Sequence, residues 1–126
     1  MSLQRITLQL ARNPGYPNGA TDIGYRIVAP LDADAKIDVE AWRAEREACR
    51  VTRFHPDETE RASGVLTHRG AHWRFHYDED AEGPDEEGHR LGEHVFKEGE
   101  YVSVRHHGEE ALTYLVTDVT PLSELD

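Results

Sequence analysis

The chain is predicted to be mainly β (α+β by strict count): an antiparallel small β-barrel or sandwich of about seven to eight strands, with one short α-helix inserted after the first hairpin. Three observations carry this. Short runs alternate apolar and polar residues, the period of a strand buried on one face. Clusters of Gly, Pro, Asn and Asp separate the runs. Only the segment from Asp38 to Cys49 has helical spacing.

RITLQLAR, Arg5 to Arg12, places Ile6, Leu8 and Leu10 on one face. NPGYPNG, Asn13 to Gly19, is turn chemistry and long enough to have its own shape, so Tyr16 is a candidate contact residue. IGYRIVAPL, Ile23 to Leu31, returns as the second strand of a long hairpin. In DVEAWRAEREAC, Asp38 can cap the first turn and Glu40 sits near the positive end of the dipole. Val39, Trp42 and Cys49, with Ala41, Ala44 and Ala48, form a narrow apolar face; Arg43, Glu45, Arg46 and Glu47 lie outside it. So short a helix needs a sheet to dock on, and Trp42 is the residue to dock it. From Arg50 onward RVTRF, GVLTH, AHWRFHY, EHVF, YVSVRH and ALTYLVTDV read as strands.

The segment HRGAHWRFHYDEDAEGPDEEGH, His68 to His89, holds four of the chain's eight histidines. With Arg69-Gly70 as a two-residue turn, Leu66 faces Trp73 and Thr67 faces His72. Leu66, Trp73, Phe75 and Tyr77 then share a core face, and His72, Arg74 and His76 share the outward one. His72-x-x-x-His76 suits zinc on a helix, but a strand separates the two by roughly 13 Å. No metal is therefore expected here, and no paired Cys/His spacing points to zinc elsewhere. His76-x-Asp78 matches part of an iron-binding facial triad, in a chain short for such a barrel. Asp78, Asp80, Glu82 and Gly83 have the look of a calcium loop, but His89 stands where a bidentate Glu is needed. Asp32 to Asp38 has the same partial look, spoiled by Lys36. The expected state of residues 78–88 is a mobile, self-repelling acidic loop on a single domain spanning residues 1–126.

The net charge is −11, and residues 78–87 alone contribute seven acids and no base. An acidic chain without a Lys/Arg stripe is repelled by phosphate backbones and anionic bilayers, so neither nucleic acid nor membrane is an expected partner. The N-terminus lacks a basic region followed by an apolar one, no apolar run approaches ~18 residues, and the single Cys49 excludes an internal disulfide. A cytoplasmic setting is expected. Cys49 falls near a helix C-terminus, where the dipole disfavours a thiolate.

FKEGEYVSVRHHGEEALTYLVTDV, Phe96 to Val119, resembles the strand-turn-strand unit of SH3-like and related small barrels, in which a Gly-acid pair precedes a YVSV-type strand. The resemblance implies architecture and no activity. No Gly-rich phosphate loop, Ser-His-Asp order or nucleophile elbow is present, so no catalytic residue or cofactor is assigned. The expected function is a non-enzymatic binding or protein-interaction module. It meets an unknown protein partner, a small ligand or another copy of the chain in a homo-oligomer, through His72, Arg74, His76 or Tyr16. The alternative is a small metal- or ligand-binding enzyme with histidines at the mouth of a barrel.

Overall fold

Alternating side chains build the sheet outward from its first hairpin. In β1 (Leu3–Leu10) Ile6, Leu8 and Leu10 are buried, and in β2 (Ala20–Pro30) so are Tyr25, Ile27 and Ala29. The antiparallel register sets Ile6 opposite Ile27 and Leu8 opposite Tyr25, so the two apolar rows lie on one face. The computed structural model describes residues 3–69, 72–77, 86–88, 94–104 and 112–122. After β2 come α1 (Val39–Ala44), a 3-10 turn (Arg46–Ala48), β3 (Arg50–Phe54), a second 3-10 turn (Glu58–Glu60), β4 (Ala62–Arg69), β5 (His72–Tyr77), β6 (Glu86–Gly88), β7 (Tyr101–Val104) and β8 (Leu112–Pro121). Among the described residues, eight strands form one antiparallel sheet in the order β6-β5-β4-β3-β2-β1-β8-β7.

That sheet is curled into a half-barrel, as three rings demonstrate. Tyr25 on β2 lies 5.3 Å from Phe75 on β5 and 5.2 Å from Tyr114 on β8, between ring centroids. In a flat sheet β2 and β5, three strands apart, would be separated by roughly 14 Å at ~4.8 Å per strand. Only a curled sheet brings both flanks onto one ring. The end strands β6 and β7 approach each other, yet among the described residues no ladder joins them. The architecture is thus barrel-like and single-sheeted, not a sandwich.

Irregularities in the ladders accompany the curl. Gln9 opposes Gly24 whereas Leu10 opposes Ala20, so three residues of β2 leave the register there. Thr7 opposes Asp118 and Leu8 opposes Val116, which leaves Thr117 as an extra residue in β8. Such bulges increase local twist and bend the strand. Gly24 is required at its bulge, because a Cβ there would collide with the carbonyl oxygen of Leu8 and the ring of Phe54.

Four local expectations change. The β4–β5 register is Leu66 to Phe75, Thr67 to Arg74 and His68 to Trp73, two residues from the pairing that an Arg69-Gly70 turn would give. A slip of two preserves parity, so Leu66, Trp73 and Phe75 are still buried together, whereas a slip of one would have exposed them. The new pairing puts His68 on Trp73 at 4.3 Å and brings Trp73 to Trp42 at 5.3 Å, ring contacts no local turn preference anticipates. The side chain of Tyr77 lies outside the described residues. The expected helix to Cys49 stops at Ala44, and Glu45, at φ −129° and ψ 26°, begins the 3-10 turn, which leaves Ala44 and Ala48 exposed. Asp38 does cap α1, its carboxylate accepting from the Ala41 N–H at 3.0 Å.

His94 to Phe96, expected as strand, are not one; Phe96 is buried while its N–H donates to the Ala35 carbonyl at 2.7 Å. Part of the acidic run, Glu86–Gly88, is a strand paired with β5, where a loop was expected. Residues 78–85 lie outside the described residues.

Because Phe75 is fully buried against Tyr25, Phe75→Ala should cost about 3–5 kcal/mol in chemical denaturation. Gly24→Ala should cost about 1–3 kcal/mol through overpacking at the bulge, and a stability equal to wild type would disprove the close approach to Leu8.

Candidate functional site

β3 has five residues and β4 has eight, so the second half of β4 loses its strand neighbour at Leu66. There the chain before β3 takes over. The Leu66 N–H donates to the Cys49 carbonyl at 2.9 Å, and the Trp42 indole Nε1–H donates to the Leu66 carbonyl at 3.0 Å. A continuous α-helix would carry Cys49 about 10 Å beyond Trp42 along its axis. Unwinding at Glu45 lets both reach the same residue.

This handover from strand to helix leaves a half-open cleft of about 500 Å³. One wall is the outward face of β4 and β5, where Val65 opposes His76 and Thr67 opposes Arg74, with Thr67 Oγ1 donating to the Arg74 carbonyl at 3.2 Å. The other wall is the 3-10 turn, which contributes Arg46 and Glu47. Trp42, Leu66 and His68 lie between the walls. Trp42 is held edge-to-face against Trp73 and against His68, at 5.3 and 5.8 Å, and the Arg46 guanidinium stands 5.3 Å from the indole centroid. That cation–π contact restrains an otherwise exposed side chain. In a chain of net charge −11, two guanidiniums and two imidazoles thus border one cavity, with Glu47 the one carboxylate among the described side chains of its lining; Glu87 of β6 stands opposite Arg74 in the ladder.

Of the residues singled out in the sequence, Arg74 and His76 meet in this cleft. β5 is extended from His72 to Tyr77, so His72 and His76 are four strand positions apart, and the imidazole of His72 lies outside the described residues. Tyr16 is elsewhere: it is 39% exposed in the loop between β1 and β2, bridged to Asn13. Asn13 in turn ties that loop to β8, its side chain bonding both the N–H and the carbonyl of Thr113. Among the described residues no three His, Cys, Asp or Glu side chains gather as they would around a metal. The Asp32 carboxylate, in the second calcium-like run, accepts from the N–H groups of Asp34 and Lys36 and so shapes a turn. Among the described residues no helix is long and apolar enough to cross a membrane.

Arg46, Glu47 and His68 were not singled out. Their helical or strand faces were legible, but nothing local signals that the outer side of a helix end will stand over β4. Arg53 is a further surprise. It shares the inward face with Tyr25, its side chain is 11% exposed, and it pairs with Glu60 at 3.3 Å.

Cys49 is wholly buried at the end of the 3-10 turn. Burial, and secondarily the negative charge of Glu45, pushes its thiol up from 9.0 to about 11. The protonated thiol is no nucleophile at neutral pH.

No protein-family model, curated protein or solved structure matches this chain. Its own geometry is therefore the ground for any functional reading.

The folded chain holds the Cys49 proton more tightly than the unfolded one does. The stabilisation this gives is complete below about pH 9 and is lost as the pH rises through about 11. Cys49→Ala should accordingly flatten the fall of stability between those pH values, measured by urea unfolding against wild type. Thiol alkylation at neutral pH should proceed only on unfolding, and rapid labelling of the native chain would contradict the burial.

Proposed function

We propose that this chain is a non-enzymatic binding module whose ligand is an anion, held in the cleft between the outward face of β4–β5 and the Arg46–Ala48 turn. The observation that carries the reading is the meeting of Arg46 and Arg74, from segments far apart in sequence, in one cavity of an acidic chain. A guanidinium is permanently charged and presents a planar fork of donors that matches carboxylate and phosphate oxygens. A volume of about 500 Å³ falls within the range of small-ligand sites. Val65, Leu66 and the edge of Trp42 supply an apolar surface beside the charges. The same oxyanion chemistry can be offered by a free small molecule or by an acidic side chain of a protein partner.

Binding is favoured over catalysis by the character of the groups. The lining offers hydrogen-bond donors to an anion, and Glu47, the one carboxylate among its described side chains, is exposed beside an arginine instead of being desolvated for proton transfer. The chain's thiol is buried and protonated. A polyanionic nucleic acid suits the cleft poorly, since the rest of the chain repels it. A single buried thiol, with no second cysteine in the chain to pair with, accords with a cytoplasmic setting.

Titration with a panel of carboxylates and phosphate esters, followed through the Trp42 indole N–H resonance, tests the proposal. Arg74→Ala and Arg46→Ala should each weaken the bound anion about tenfold or more, as expected for a lost charge-assisted hydrogen bond. Unfolding free energies should stay within about 0.5 kcal/mol, because both side chains are exposed. Anion-induced shifts that map away from the cleft, or affinities indifferent to both substitutions, would remove it as the site.

A further inference from the structure

We infer that the cleft is built for a small dianion, a dicarboxylate or a phosphate monoester, in preference to a monoanion; this rests on the binding-module reading above. The two fixed positive charges come from different walls, Arg74 from β5 and Arg46 from the 3-10 turn. A cavity of about 500 Å³ is roughly 10 Å across if taken as a sphere. One small molecule therefore reaches both guanidiniums, whereas a monoanion engages one and leaves the other facing water or Glu47.

Arg46, and the backbone from which Arg74 springs, are positioned before any ligand arrives. Arg46 is held 5.3 Å over the Trp42 ring, and Trp42 is fixed by its bond to the Leu66 carbonyl and by the edge of Trp73. Arg74 springs from a strand whose carbonyl at that position accepts the Thr67 hydroxyl. Positioning in advance lowers the ordering cost of binding. His68 and His76 lie on the same lining.

Glu47 decides between a dianion and a zwitterion. It adjoins Arg46 in sequence and lines the same cavity, so it repels a second negative charge but would welcome an ammonium group. For a dianion it is a counter-charge to be displaced, and removing it should help. For an amino acid it would be a partner, and removing it should hurt.

The test compares ligands of matched shape and unequal charge: succinate with monomethyl succinate, and phenyl phosphate with its monomethyl ester, by calorimetry and by the Trp42 indole resonance at pH 8. Succinate or phenyl phosphate should bind at least tenfold more tightly than its ester, and which of the two binds better tells dicarboxylate from phosphate. Arg46→Gln or Arg74→Gln should bring that ratio close to one, while Arg46→Lys restores part of it. Glu47→Gln should tighten the dianion several-fold. Equal binding of diacid and monoester in the cleft overturns the dianion inference and leaves an anion-binding module standing. Glutamate binding more tightly than succinate, and weakening in Glu47→Gln, overturns it in favour of a zwitterion. A cleft whose resonances respond to none of these probes removes the binding-module reading with it.

Discussion

Both main-chain groups of Leu66 on the β3 side must be satisfied where β3 ends, and the way they are satisfied organises the cleft and the elements around it. A strand that outruns its neighbour leaves an N–H and a carbonyl that cannot be buried without partners. The Cys49 carbonyl answers the first and the Trp42 indole the second. Those two bonds seat the helical segment on the end of β4, turn the chain into β3, and set Arg46 and Glu47 above the outward face of the sheet. The cleft is a consequence of unequal strand lengths, closed off by a helix end instead of another strand.

The inner side of the same sheet packs behind this arrangement. Curling brings β2, β5 and β8 around Tyr25, and the contacts of its ring with Phe75 and Tyr114 are tilted or edge-on, the geometries aromatic pairs favour. Near the cleft the packing continues through Trp73, Trp42 and His68. One aromatic array thus backs the floor of the cleft from the core side. An exposed arginine such as Arg46 acquires a preferred position from that array, although its guanidinium remains in solvent contact.

Charge is distributed to the same effect. The chain is acidic as a whole, yet Arg46, Arg74, His68 and His76 border one cavity in which Glu47 is the one carboxylate among the described side chains. Against a negative background, the two guanidiniums make a local concentration of positive charge, the kind of feature on which the proposed binding of a small anion depends. Cys49, a few residues from Arg46, is excluded from this chemistry by burial and serves the core.

Much of the framework was determined by the sequence itself, because strand faces follow from a two-residue period. Ile6, Leu8 and Leu10, like Leu66, Trp73 and Phe75, had to be buried together, and even the two-residue error in the β4–β5 register could not change that. The Asp38 cap, the docking role of Trp42 and the outward row holding Arg74 and His76 were legible for the same local reasons. Tertiary structure alone decided that α1 would stop at Ala44, that Glu86–Gly88 would pair with β5, and that Arg46 would face Arg74 across a cavity. Each of these depends on which distant backbone groups need partners and how far the sheet curls. Those quantities are properties of the assembled ladder and are absent from any stretch of a dozen residues.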